Sequence, residues 1–241
     1  MTTGVTSLNE AQTRESAAGE RVRRGAELLV VFAALPAVIA WTPVRVPLMP
    51  LMWLMAAVCL WMLWRDPGFN RRRLWNAAAL TRQEGRRVVL RFVGLAALLA
   101  ALLWVMLGRT VWGMTFPETM FSLPRERTGL WMIIMVGYPL LSVLPQNVVW
   151  RVFFFRRYRR LLGDGWGLVA GSALLFGWAH VVMLNGFAVA TTLVGGVLFA
   201  QTYRRSGSML LASVEHALYG CWMFTVGYGL LFLYGHVPDS P

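Results

Sequence analysis

The chain has 241 residues, 57% of them hydrophobic and only 14% charged, with a formal net charge of +12. It is too apolar for an ordinary soluble domain, and its positive charge is carried by arginine alone. Those arginines sit between apolar runs rather than along one face, which speaks against a nucleic-acid partner and for loops anchored at anionic lipid.

Twelve Trp and thirteen Phe suit aromatic belts at membrane interfaces. Residues 1–25 are polar and mixed in charge and read as a cytoplasmic tail with no cleavable signal peptide. Residues 26–241 read as a membrane-embedded helical domain. A helix needs about twenty apolar residues to cross a bilayer. Such runs fall at 26–43, with Pro36 as a candidate kink, at 47–64 after a tight turn holding Arg45, and at 88–108. Further runs fall at 129–155, 166–184 and 187–203, and the remainder at 208–235 is one long span or two short ones. The fold class is therefore all-α, a polytopic integral membrane bundle of seven or eight transmembrane helices.

Between the second and third runs, RRLWNAAALTRQEGRR has the pattern of an interfacial amphipathic helix. Gly163, Gly167 and Gly171 recur at four-residue spacing and would let a neighbouring backbone approach. With the N-terminus inside, the arginines of 65–87, RRYRR at 156–160 and Arg204–Arg205 all fall in the cytoplasm. That satisfies the positive-inside rule and suits a bacterial inner membrane. Cys59 and Cys221 lie in apolar sequence without metal-ligand spacing and read as packing residues.

Three strings place polar residues inside apolar runs: PQNVVWR at 145–151, FGWAH at 176–180 and EHALYG at 215–220. Ionisable groups there are expensive and mark a candidate site. Asn147 and Arg151, four apart, share a helix face, and Gln146 borders it. Arg151 alone could snorkel to the interface, and a lone His180 would read as a packing residue. Two histidines on different spans, His180 and His216, point instead to a shared site. Glu215 is the only carboxylate in the apolar C-terminal half, since Asp164 reads as a loop residue. It could be held ionised and take a proton from water, or it could simply pair with Arg204 or Arg205.

Together, in order and on successive spans, these strings resemble the CAAX-protease and bacteriocin-processing (CPBP, or Abi) family of intramembrane peptidases. That family carries EExxxR, FxxxH and HxxxN on successive helices, and the likeness here runs over a core at about 129–235. The resemblance implies a helical bundle whose cavity cleaves a peptide bond with a Glu-activated water. Arg151 matches the motif arginine, Phe176 and His180 match FxxxH, and His216 matches the last histidine. The family's histidines are thought to stabilise the oxyanion and position the water. The glutamate pair is replaced by Gln146 and Asn147, and the final asparagine by Gly220. An amide cannot act as a carboxylate base, so hydrolysis would require Glu215.

The sequence therefore favours an intramembrane endopeptidase acting on a membrane-associated peptide or protein, with Glu215, His180, His216, Arg151, Gln146 and Asn147 as the catalytic set. Its alternative is a pseudoprotease that binds a membrane peptide or partner without cutting it. A transporter or channel fits less well, since no inverted repeat is visible. The expected partners are membrane lipid and a membrane-bound substrate, with no nucleic acid. No cofactor is expected, and a zinc ion at His180 and His216 is the lesser alternative, two histidines without a third ligand being weak grounds for one.

Overall fold

The computed structural model describes residues 18–44, 46–111 and 114–233. Most of the proposed tail, Arg45 and the last eight residues lie outside that set. Seven helices among the described residues are long and apolar enough to cross a membrane. They are α1 (Ala18–Trp41), α2 (Leu48–Arg65), α3 (Arg82–Met106), α4 (Thr128–Leu162), α5 (Trp166–Met183), α6 (Gly186–Ser206) and α7 (Met209–Val226). The all-α class holds, with one small addition. Thr110–Val111 and Met114–Thr115 form a two-residue antiparallel ladder in the loop after α3.

Hydropathy located the spans, and local chemistry sets where they start and stop. Residues 18–25 are already helical, so α1 begins inside the stretch read as a polar tail. The expected amphipathic helix before α3 is absent. Short 3-10 turns at Arg71–Arg73 and Ala77–Ala79 stand in its place. Asn70 caps the first of them by accepting from the Arg72 amide. Thr81 then accepts from the Glu84 amide at 3.2 Å, the N-terminal half of a capping box, which starts α3 six residues before the apolar run does. After α7 the chain turns through Gly227–Gly229 into a short helix, Leu230–Leu233, rather than an eighth span within the described residues.

Alternating helices bring the arginine-rich segments to one end of the bundle. There Arg157 of α4 holds Glu27 of α1 through Nε at 2.9 Å, and Tyr158 donates to the same carboxylate at 2.9 Å. Arg156 grips Asp66, just beyond α2, through Nε at 2.7 Å and Nη2 at 2.9 Å. Those bonds hold the Asp66 carboxyl below the usual carboxylate range. Asn76 accepts from the Ser208 hydroxyl at 3.0 Å, joining the 66–81 loop to the start of α7. At the opposite end, Phe121 donates its amide to the Val226 carbonyl, and Asn185 donates to the Leu231 carbonyl at 2.8 Å.

α4 is the spine: every residue from Asn147 to Phe155 is buried. Phe32 of α1 meets Trp150 and Phe154 edge-on, with ring centres 4.8 and 5.5 Å apart. Such pairs contribute about 0.5–1.5 kcal/mol each. That counts here because helix association in lipid rests on packing and polar contacts rather than on water exclusion. α5 and α6 approach each other closely. A Cβ on Gly196 would lie 3.0 Å from the Ala173 Cα, and one on Gly177 would lie 3.1 Å from the Leu193 Cα. The Gly163–Gly171 spacing does something smaller, with Gly167 and Gly171 lying against Leu162 at the end of α4. Cys59 and Cys221 are both free thiols.

Prolines shape the site-bearing helix. Two π-helical turns, Tyr138–Val143 and Val148–Phe153, flank the PQN string, an irregularity common at functional sites. Pro139 and Pro145 lack the N–H that would close onto residues 135 and 141. The freed carbonyl of Leu141 accepts from the Trp53 indole of α2 at 2.9 Å. The freed carbonyl of Met135 faces the Cys221 thiol at 3.9 Å.

Candidate functional site

The three strings meet around the Phe176 ring. His180, four residues on, packs with its ring centre 4.8 Å away, and His216 of α7 lies 5.8 Å away on an edge-on approach. The Arg151 guanidinium sits 5.0 Å from the same centre and 5.9 Å from that of Phe199. One ring is thus common to three residues from three helices, and the two imidazole centres lie within the sum of its distances to them.

Arg151 does not snorkel. It is fully buried, donating to the Ser172 hydroxyl at 2.6 Å, while Ser172 donates to the Trp150 carbonyl at 2.9 Å. Its charge rests on two aromatic faces, an arrangement of real value where water is excluded. Ser172, one turn before Phe176, is a member of the site that the motifs did not name.

Asn147 reaches His216 directly. Its Nδ2 donates to the Val143 carbonyl at 3.0 Å and lies 3.3 Å from His216 Nδ1. A carbonyl only accepts, so the amide nitrogen is fixed in that position. His216 Nδ1 must then be the accepting nitrogen, and the neutral ring carries its hydrogen on Nε2. Nε2 faces the Tyr138 hydroxyl at 3.2 Å. The ring itself stacks on Phe199 at 4.4 Å and 16°. His180 is the opposite tautomer. Its Nδ1 donates to the Phe176 carbonyl at 2.8 Å, leaving Nε2 as the acceptor of the neutral ring. Tautomers set in this way by the other nitrogen's partner present one donor and one acceptor.

Gln146 lies to one side. It donates to Ser142 at 2.8 Å, and its buried Oε1 has no hydrogen-bond partner among the described residues.

Glu215 takes a different partner from either arginine that the sequence suggested. It is fully buried and ion-paired to Arg91 of α3 at 2.8 Å. The same Arg91 nitrogen donates to the Thr202 hydroxyl at 2.7 Å. Arg205 instead approaches Glu84 at 3.5 Å. Residues 215 and 216 diverge by about 100° around the helix. His216 turns to α4, α5 and the Phe199 ring of α6, while Glu215 turns to α3 and Thr202. The polar groups around His216 are the amide of Asn147 and the hydroxyl of Tyr138, and the cation beside Phe176 is Arg151.

Among the described residues no group of three or more His, Cys, Asp or Glu could hold a metal ion. His216 has both nitrogens engaged by Asn147 and Tyr138, and His180 has Nδ1 engaged by Phe176.

Residues 128–222 match the family model described as type II CAAX prenyl endopeptidase Rce1-like. This stretch is Rce1-like. It runs from the start of α4 through the last motif and includes every residue singled out from the three strings. The resemblance read from those strings thus holds over the segment that carries them. No curated protein and no solved structure matches the chain. Arg91, which is ion-paired to Glu215, lies outside the Rce1-like stretch, so the α3 helix completes a cluster that the family segment alone does not contain.

Proposed function

We propose that this protein holds a membrane-associated peptide at the Rce1-like cluster and does not hydrolyse it. The observation that carries the reading is the pairing of Glu215 with Arg91. The carboxylate that hydrolysis would require is ion-paired to Arg91 on the α3 side of its helix, and amides occupy positions 146 and 147. A general base must come within hydrogen-bond reach of the water it activates, and here the groups beside His216 are Asn147 and Tyr138. What remains suits recognition. A donor at His216 and an acceptor at His180 match the C=O and N–H of a peptide bond, and the Phe176 ring packs against both histidines.

The test uses protein in lipid nanodiscs and a fluorescent farnesylated peptide of CAAX type. Wild type should bind it and return it intact, and His216→Ala should weaken binding by about fivefold to tenfold, the equivalent of one hydrogen bond. Equal binding by the variant contradicts the reading.

A second reading, cleavage with Glu215 as base, is favoured by that residue's complete burial next to His216. It differs in predicting that the peptide is cut.

The cytoplasmic side is assigned to the end where Arg65, Arg71, Arg72, Arg73, Arg159 and Arg160 gather, by the positive-inside rule. The membrane is taken as a bacterial inner membrane, and residues 26–241 as one embedded domain with its core at about 129–235. Reporter fusions at Arg24 and Arg73 should both report cytoplasm. An external signal from either reverses the orientation.

A further inference from the structure

Gly220 stands where the HxxxN pattern has asparagine, and the space above it is filled. A Cβ added at position 220 would collide with Cε1, Cζ and Oη of Tyr138, the tip of the phenol. The tyrosine is half-buried at the start of the first π-helical turn of α4. Phe224 supports it edge-on with ring centres 5.4 Å apart, and its hydroxyl lies 3.2 Å from His216 Nε2. Any side chain at 220 is therefore incompatible with this tyrosine position, and glycine is what admits it.

The hydrogen-bond direction gives the contact its meaning. Val143 fixes the Asn147 amide, Asn147 makes His216 Nδ1 an acceptor, and Nε2 must carry the hydrogen. The Tyr138 oxygen is consequently the acceptor for Nε2–H. A ligand that engages His216 at the same nitrogen must bring an acceptor oxygen and must take the place the phenol holds.

We infer that Tyr138 is a displaceable plug. Its hydroxyl occupies the acceptor position at His216, in space opened by Gly220, and a carbonyl or carboxylate oxygen of the ligand replaces it on binding. The inference rests on the reading of this cluster as a peptide site. Its first consequence, a masked His216, is measurable without any ligand.

Exchange of the imidazole C2 hydrogen for deuterium in detergent-solubilised protein, followed by peptide mass spectrometry, reads the exposure of each histidine to water. His180 serves as internal reference, because its bond to the Phe176 carbonyl does not involve Tyr138. Tyr138→Ala should speed exchange at His216 at least about fivefold relative to His180, the equivalent of one lost hydrogen bond. Tyr138→Phe, which keeps the ring over Gly220, should give a smaller increase and stands in if the alanine variant does not fold. An unchanged His216 rate in the folded variant overturns the plug. The fluorescent farnesylated peptide supplies the second arm, with Tyr138→Ala binding it about fivefold more tightly than wild type. If His216 is unmasked while the probe binds wild type and variant equally, displacement by ligand is overturned. If His216 is unmasked and neither protein binds the probe, the plug stands and the peptide reading fails.

Discussion

Arg91→Ala is expected to cost about 3–5 kcal/mol of stability, the largest loss from any single side chain of the cluster. Removing one partner of a buried ion pair leaves the other charge without compensation. Glu215 is fully buried, whereas Arg91 retains 24% side-chain exposure. The asymmetry sets the order of effects. A lone Arg91 can move its head toward the interface, and a lone Glu215 has nowhere to go. Glu215→Gln should therefore be milder than Arg91→Ala, and the double variant should recover part of the loss. Denaturant unfolding of the nanodisc-embedded protein, followed by Trp fluorescence, measures all three. Equal tolerance of Arg91→Ala and wild type would mean that the pair does not hold α3 to α7.

On the binding-only reading proposed above, Gln146→Glu combined with Asn147→Glu is expected to create cleavage. The substitutions restore the motif carboxylates on the helix that already carries Arg151 one turn on. The second substitution also changes the hydrogen-bond direction at His216. A carboxylate at 147 would accept from Nδ1, where the present amide donates to it, and the imidazole would be held in its other tautomer or as imidazolium. A positioned base contributes about 10²–10⁴-fold to such a step, large enough to read above background hydrolysis. The restored carboxylates lie close to buried Arg151, so the added charge has a counter-ion. Failure of a folded double variant to cleave would mean that these two carboxylates alone do not supply hydrolysis at this site.

The seven spans were legible because lipid demands long apolar runs, and the run limits differ from the helix limits only where caps or polar turns intervene. Thr81 and Glu84 are a case in point, moving the start of α3 into sequence that reads as interfacial. The three strings also placed His180, His216, Arg151 and Asn147 on spans that do converge. What they could not show were contacts between residues far apart in the chain. Arg91 and Glu215 are brought together only by the packing of α3 on α7, and hydropathy assigns Arg91 merely to the start of a span. Ser172 and Tyr138 were missed for another reason, since a hydroxyl inside a span is compatible with ordinary packing. The one available signal for Tyr138 was Gly220 in place of a side chain, which marks a space without saying what fills it. Pro139 and Pro145 were equally visible, but their effect depends on Trp53 and Cys221 lying beside the carbonyls they free.

The decisive measurement compares wild type with Glu215→Gln in nanodiscs containing the farnesylated peptide, with products followed by mass spectrometry. A site whose only carboxylate is committed to Arg91 predicts intact peptide in both samples. Cleavage by wild type that disappears in a folded Glu215→Gln protein would contradict it, making Glu215 the base of a working peptidase.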